Sequence, residues 1–352
     1  MLRQITSPHA RNTYNTSRLM LEVVLATLPG VIVLSYFYGW GTLINLVLAS
    51  TLALSMEALV MWVRKRPVGF YIKDYSALVT AVLLALAIPP YCPWWITAIG
   101  IFFAIIVAKH AYGGLGFNPF NPAMIGYVVL LISFPVAMSA WVAPASLTGD
   151  AGLPGLVDAL RIVFLGQPLI DGTTGATVLD LLRQNNALLI DQLYAENAVF
   201  SDASFAGMGT EWVNAAFLLG GLYLLVRRIY TWHAPVGMLG ALVICSVLFY
   251  DNGSSASQGS ALLHLFSGAT MLGAFFIVTD PVSGCTSNRG RLIFGICVGV
   301  LVFLIRSFGN YPDSVAFAVL LMNFAAPLID YYSQPRTYGH KKPSQARVKH
   351  DG

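Results

Sequence analysis

The sequence predicts an all-α polytopic membrane protein. Hydrophobic residues make up 57% of the 352-residue chain and charged residues only 10%, whereas soluble domains carry about 25% charged residues. The mean hydropathy is +0.69, and the apolar residues are concentrated in separate runs. Runs of this kind, in a chain this poor in charge, are typical of membrane-spanning helices.

A spanning helix needs about 20 mainly apolar residues, and ten runs meet or approach that length. The predicted spans are 19–37, 42–63, 75–89, 94–110, 122–138, 212–226, 234–250, 261–279, 292–306 and 315–332. The first 18 residues lack the apolar core of a signal peptide, so the run from Leu19 is expected to act as an uncleaved anchor. The predicted organisation is a segment 1–18, a first transmembrane half 19–138, a loop 139–211, a second transmembrane half 212–332 and a tail 333–352.

The positions of the basic residues predict the orientation of these spans. With the N-terminus in the cytoplasm, all of the 20 Lys and Arg residues except Arg161, Arg183 and Arg306 fall in cytoplasmic segments. Cytoplasmic loops of membrane proteins are enriched in Lys and Arg. Both termini are therefore expected in the cytoplasm, and loop 139–211 on the periplasmic side of a bacterial inner membrane. Anionic headgroups suffice to explain the net charge of +4, and no nucleic-acid partner is predicted.

Five spans on each side of the loop predict two five-helix halves of opposite orientation, as in inverted-repeat transporters. Each half contains a Pro-punctuated turn, GFNPFNPA at 116–123 and TDPVSGC at 279–285. Such turns indicate broken or re-entrant helices, which are tolerated where protein covers the freed backbone groups. Ordinary punctuation at helix ends is the alternative explanation of the same residues.

Loop 139–211 is the one sizeable extramembrane piece, and it holds eight acidic and two basic residues. Two stretches with helical spacing predict short amphipathic helices on the membrane surface or on a partner. Their apolar positions are Leu156, Val157, Leu160, Val163 and Phe164 in the first stretch and Leu181, Leu182, Leu188, Leu189 and Leu193 in the second.

The run DGTTGAT at 171–177 places a threonine after Gly and Ala, with an aspartate six residues before it. A surface turn is one explanation, because Gly and Asp suit turns. A phosphate-binding loop is a poor match, since G-x-x-x-x-G-K is absent. A third explanation is an acceptor hydroxyl, because small neighbours let another enzyme reach Thr177. The carboxylate of Asp171 could then orient or deprotonate that hydroxyl.

The pattern D-x-x-[ST]-G-A-[TS] is the flavinylation motif of bacterial respiratory membrane complexes. Its positions are filled here by Asp171, Thr174, Gly175, Ala176 and Thr177. Nearly the whole chain resembles the family that includes the D component of the Rnf (Rsx) electron-transport complex and the B component of the sodium-pumping NADH:quinone oxidoreductase. FNPFNPA at 117–123 and LGAFFIVTDPVSG at 272–284 are further parts of this resemblance.

The resemblance implies that an FAD-dependent flavin transferase attaches FMN to Thr177. It also implies a complex of membrane and peripheral subunits that couples electron transfer between ferredoxin and NAD to ion transport. Neither ferredoxin nor NAD is expected to bind this chain, which shows no Rossmann signature. The family relationship also allows a second, non-covalent flavin, to which no residues are assigned.

The sequence SGAT recurs at 267–270, inside a predicted span and with His264 in place of the acid. Small residues in a membrane helix usually serve close packing, so Thr270 is expected to be buried and is not assigned a flavin. Two other functions stay open: a solute channel or secondary transporter of urea-channel-like architecture, and a structural anchor without flavin. The complete motif in the outside loop favours the electron carrier.

Five acidic residues lie near the predicted cytoplasmic ends of spans: Glu22, Glu57, Asp74, Asp280 and Asp330. Snorkelling and headgroup contacts are expected to lower the free-energy cost of placing these carboxylates in the membrane. Asp280 is the best candidate for contact with an ion or a partner. The four cysteines form no C-x-x-C pair and are interpreted as small apolar helix residues; a cysteine that joins a cluster shared with a partner subunit is the alternative. No metal site is predicted within the chain.

Overall fold

The computed structural model describes residues 15–148, 152–169, 173–185, 188–251, 253–254, 257–309 and 314–333. These residues form seventeen α-helices. Their β-pairing is limited to one isolated bridge, between Val142 and Thr174. The predicted all-α class is confirmed for this part of the chain.

The first half contains α1 (Thr16–Tyr38), α2 (Gly41–Val63), α3 (Val68–Ile72), α4 (Ser76–Ala87), α5 (Trp94–Phe102) and α6 (Pro122–Ser133). The helix α5 continues as a π-helical segment, Phe103–His110. By length and composition, α1 and α2 can each cross a membrane. The helices α4 and α6 have 12 residues each, about 18 Å, and so cover only part of an apolar layer roughly 30 Å thick.

Short helices join the halves: α7 (Pro135–Ser139), α8 (Leu156–Leu165), α9 (Val178–Gln184), α10 (Ile190–Glu196) and α11 (Ala198–Ser201). The second half contains α12 (Thr210–Val226), α13 (His233–Leu248), α14 (Ala261–Phe266), α15 (Thr270–Leu272), α16 (Asn288–Phe308) and α17 (Val315–Ser333). The helix α15 continues as a π-helical segment, Gly273–Ile277. By length and composition, α16 and α17 can each cross a membrane.

Most predicted spans coincide with one continuous helix, but two are interrupted. Span 122–138 breaks at Phe134, because Pro135 disfavours helical backbone in the residue before it. Span 261–279 breaks at 267–269, where Gly268 has a φ of +56°, open to glycine without steric cost. The two Pro-punctuated turns lie between helices and not within these two breaks.

The two halves repeat one packing order. In the first half, α4 packs against α1, α2 and α6, and α5 packs against α2 and α6. In the second half, the matching element consists of α14, α15 and the π-helical segment 273–277, which together pack against α12, α13 and α17. The helix α16 packs against α13 and α17. Across the interface, α1 packs against α12 and α6 against α17. This matching order is the pattern expected of an internal repeat.

Glycines bring the two halves into close contact. A side chain at Gly30 of α1 would overlap the ring of Phe217, and one at Gly220 of α12 would overlap the carbonyl of Ala26. Small residues let membrane helices approach at the backbone and gain dispersion energy. The α1–α12 contact is therefore fixed by these positions.

A buried ion pair corrects the expectation that the acidic residues snorkel. The Glu57 side chain is 1% exposed, and its two carboxylate oxygens lie 2.9 and 2.7 Å from Lys109 Nζ. The same ammonium donates to Ser76 Oγ at 2.7 Å, and His110 Nε2 lies 3.3 Å from Glu57 Oε2. The charge count placed Lys109 in a cytoplasmic loop, but it lies in the π-helical segment after α5. An unpaired charge at this depth would be costly, so each group depends on the others.

Glu22 is also held by protein rather than by headgroups. Its carboxylate accepts hydrogen bonds from Tyr223 Oη at 2.6 Å and from Arg227 Nη2 at 3.0 Å. Since α1 carries Glu22 and α12 carries Tyr223, these bonds join the two halves.

The substitution Glu57→Gln is expected to destabilise the protein more than any exchange of an exposed acid, because it leaves Lys109 buried without its counter-ion. Breaking a buried pair costs about 3–5 kcal/mol. A melting curve of the purified chain in detergent measures the effect. Asp158→Asn is the matched control, since Asp158 and Arg161 are exposed and such pairs contribute little. The double variant Glu57→Leu/Lys109→Met should recover most of the loss, and an unchanged melting temperature in Glu57→Gln would contradict this view of the pair.

Candidate functional site

Thr177 is the N-cap of α9 and is half-buried. Its backbone is extended, with φ −71° and ψ 160°, and it forms a capping box with Asp180. Thr177 Oγ1 donates to Asp180 Oδ2 at 2.6 Å and accepts from the Asp180 N–H at 3.3 Å. The Thr177 N–H donates to the same carboxylate oxygen at 3.2 Å. Capping boxes of this kind satisfy otherwise orphaned donors at a helix start, and here the box also fixes the direction of a hydroxyl.

The residues before Thr177 are held in an extended conformation. The Ala143 N–H donates to the Thr173 carbonyl at 2.9 Å, and the Gly175 N–H donates to the Trp141 carbonyl at 3.1 Å. A Cβ at Gly175 would lie 3.2 Å from the Ala143 Cβ, so glycine suits this close approach. Thr174 and Ala176 are exposed. The described part of the motif is therefore a paired strand-like segment and not a free surface turn, while Asp171 and Gly172 lie outside the described residues.

Two glycines, one just before α12 and one in the break between α14 and α15, pack closely against α9. A side chain at Gly207 would overlap Val178, and a Cβ at Gly268 would lie 2.8 Å from Leu179 Cδ1. Val178 and Leu179 are buried at these contacts. Because Thr177 directly precedes both residues, their packing sets its position.

The contact between Gly268 and Leu179 depends on polar side chains that stabilise the break between α14 and α15. Asn214 Nδ2 donates to the carbonyls of Phe266 at 3.1 Å and Gly268 at 2.9 Å. Asn214 Oδ1 accepts from the Met271 N–H at 3.1 Å. Arg306 Nη1 donates to the His264 carbonyl at 3.0 Å. Backbone groups freed by the break are thereby satisfied.

The threonine hydroxyl of the second SGAT run is buried and hydrogen-bonded. Thr270 is 0% exposed, and Arg306 Nη2 donates to its hydroxyl at 2.9 Å. The hydroxyl lies 2.8 Å from the His264 carbonyl and 2.9 Å from the Ser267 carbonyl, both of which can accept from it. The expected burial of Thr270 is confirmed, although the span around it is broken rather than continuous.

Thr177 lies on the wall of a cavity of about 640 Å³ between the two halves. Tyr38 and Trp141 line one part of it, with ring centroids 6.3 Å apart. Phe217 and Leu272 also line the cavity. The polar lining includes Asp180, Arg183 and Asn214. Ligand sites typically enclose 300–1,000 Å³ with mostly apolar walls and a few polar groups, and this cavity fits that description.

Asp180 is the residue that sequence reasoning missed. Asp171 was the acid expected to act on Thr177, yet the described carboxylate at hydrogen-bond distance is that of Asp180. The signal was present, because TVLD at 177–180 has the Thr-x-x-Asp form of a capping motif. The signal is weak because α9 has only seven residues, and the small residues before Thr177 are the stronger pattern.

The helices, the two repeated halves and the cavity beside a loop threonine define a polytopic membrane protein with a candidate covalent attachment site. Residues 4–339 match the model of the NQR2, RnfD, RnfE family. The chain belongs to this family.

Relatives of similar length support the membership. The chain is 58% identical over 346 residues to a protein of Cellvibrio japonicus, with 98% of this chain and 97% of the relative covered. It is 60% identical over 343 residues to a protein of Ectopseudomonas mendocina, with 97% of each covered. It is 54% identical over 349 residues to a protein of Vibrio atlanticus, with 95% of this chain and 98% of the relative covered. Each of these relatives is named as a subunit of an ion-translocating oxidoreductase complex.

Cysteines placed at the two threonines should differ in accessibility. In a chain whose native cysteines are replaced by alanine, Thr177→Cys is expected to react with a membrane-impermeant maleimide from the periplasmic side. Thr270→Cys should react only after denaturation, because its position is 0% exposed. Gel-shift labelling of spheroplasts and of inside-out vesicles measures both. Equal labelling of the two variants in folded protein would contradict the assigned burial. Labelling of Thr177→Cys only in inside-out vesicles would reverse the predicted orientation.

Proposed function

We propose that this chain is a membrane subunit of an ion-translocating oxidoreductase complex and carries FMN bound covalently through Thr177. The function given in the names of the relatives supports the complex. The observation that supports a covalent flavin is the acceptor motif, whose final residue, Thr177, lies on the wall of the 640 Å³ cavity. The cavity gives a ring system attached at Thr177 adjoining space.

The described residues fit a tethered flavin. Thr177 would hold the phosphate through its hydroxyl oxygen, and the cavity next to it has room for an apolar ring system. Tyr38, Trp141 and Phe217 would pack against that ring system and exclude water, since aromatic side chains bury large areas. Arg183 adds a charged side chain to the lining of the cavity. The flavin would supply reversible one- and two-electron transfer, while the protein sets its position and surroundings.

The location follows from the predicted topology. Both termini would face the cytoplasm of a bacterial cell, and Thr177 would lie near the periplasmic face of the inner membrane. Electrons passing between ferredoxin and NAD through the complex would cross this chain by way of the flavin, with neighbouring subunits as donor and acceptor. An FAD-dependent flavin transferase would be a partner during maturation only.

The geometry gives no support to the alternative of a solute channel. A second cavity, of about 250 Å³, lies at the opposite ends of α1 and α4, where its lining includes Met20, Ser76 and Asp280. The two cavities share no lining residue among those described. Phe217, which lines one cavity, packs edge-on against Phe276, which lines the other, with ring centroids 6.0 Å apart. The second cavity is smaller than typical ligand sites, so we assign no second flavin to it.

The Asp280 carboxylate, expected to contact an ion or a partner, is engaged within its own turn. It accepts from Ser283 Oγ at 2.6 Å and from the Val282 N–H at 3.2 Å. Another carboxylate near a span end, that of Asp330, accepts from the Thr286 N–H at 2.9 Å. We therefore propose no ion path from these two residues.

The covalent flavin can be tested on a denaturing gel. When the chain is expressed with its flavin transferase and run in SDS, its band should fluoresce under ultraviolet light. Thr177→Val should abolish the fluorescence, because valine keeps the shape but has no oxygen to form the ester. Thr270→Val is the matched control and should stay fluorescent.

Two results would overturn the proposal. A dark wild-type band, with the transferase active on another acceptor, would show that this loop is not flavinylated. Fluorescence that persists in Thr177→Val would place the flavin on another residue.

A further inference from the structure

The hydroxyl of Thr177 is already hydrogen-bonded to a carboxylate that the acceptor motif does not include. We infer that Asp180 accepts the proton of Thr177 during attachment of the flavin. This inference rests on the proposed function and adds the residue that activates the acceptor.

The geometry meets the requirement for a general base. Such a group must lie about 2.6–3.2 Å from the atom whose proton it takes, and Asp180 Oδ2 lies 2.6 Å from Thr177 Oγ1. The hydroxyl proton points at the carboxylate, because the other short contact of Oγ1 is one in which it accepts, from the Asp180 N–H. A lone pair on Oγ1 is therefore left for attack on an incoming electrophile.

The hydroxyl and the carboxylate both adjoin the cavity and are partly shielded from water. Thr177 and Asp180 both line the cavity, together with the cationic side chain of Arg183. Asp180 is half-buried, so water competes only partly for its carboxylate. A threonine hydroxyl is a weak nucleophile and requires an adjacent base. The capping box supplies one three residues away in the sequence.

The step balances with a flavin dinucleotide as co-reactant, presented by the transferase. Thr177 Oγ1 attacks the phosphorus on the flavin side of the pyrophosphate, and an O–P bond forms. The bond from that phosphorus to the bridging oxygen breaks, and adenosine monophosphate leaves with the electron pair. The proton of Oγ1 passes to Asp180 Oδ2 and then to solvent. No group is oxidised or reduced.

The same contacts could serve only to start α9, and substitutions separate the two roles. Asn at position 180 can still accept hydrogen bonds from the Thr177 N–H and O–H, but it cannot take a proton. Glu can take a proton, and it is also a common partner in capping boxes. A purely structural role therefore predicts a mild effect of Asn, whereas a base predicts a severe one.

The test is the rate of flavin attachment to the full-length chain, purified in detergent without flavin. Purified transferase and FAD are added in excess, and in-gel fluorescence is followed with time. Asp180→Asn and Asp180→Ala should both be slower than wild type by about 100-fold or more, the usual effect of losing a general base. Asp180→Glu should lie within about tenfold of wild type, since it keeps a carboxylate near the hydroxyl. Formate or acetate should speed up Asp180→Ala and leave Asp180→Asn unchanged. Asp158→Asn, an exposed acid of the same loop, should match wild type.

The outcomes distinguish this inference from the function on which it rests. A wild-type chain that takes no flavin overturns both. A labelled wild type with Asp180→Asn at the wild-type rate overturns the role of Asp180 alone. If Asp180→Asn and Asp180→Glu are slowed equally, and small carboxylates do not rescue Asp180→Ala, Asp180 acts only as a helix cap. This result would also overturn the inference.

Discussion

The structure around the candidate site depends on side chains that satisfy broken backbone inside an apolar protein. An unpaired backbone group costs several kcal/mol in surroundings without water. The interruption between α14 and α15 persists because Asn214 binds the carbonyls of Phe266 and Gly268. Arg306 adds a bond to the carbonyl of His264. This interruption positions Gly268, which contacts Leu179 of α9 and also lines the larger cavity.

Buried amide side chains also satisfy backbone groups in the first half. The packing order relates this half to the second. Asn45 of α2 donates to the carbonyls of Pro89 and Pro90, at 3.0 and 2.9 Å, just beyond the end of α4. Asn323 of α17 accepts from the Asn121 N–H at 3.1 Å and donates to the Ser283 carbonyl at 3.0 Å. Each of these amides is buried. The scarce polar residues of the spans are thus placed where the backbone would otherwise be unpaired.

Local and periodic features of the fold were predictable, and contacts distant in sequence were not. Runs of apolar residues gave most span boundaries to within a few residues, and the small residues before Thr177 identified the candidate acceptor. The break at Gly268 was hidden because Ser, Gly and Ala do not interrupt a hydropathy pattern. Glu57 and Lys109 are 52 positions apart in the chain, so no local pattern could pair them. The Thr-x-x-Asp pattern at 177–180 is enough to predict the contact with Asp180, although Asp180 lies downstream of the flavin motif.

The N-cap role of Thr177 has a consequence for the order of events in maturation. An ester on Oγ1 would have no proton to donate to Asp180, and its phosphate would bring a second negative charge within a few ångströms of that carboxylate. Like charges at that distance repel strongly in partly buried surroundings. If Thr177 carries the ester, α9 would therefore need a start other than the capping box.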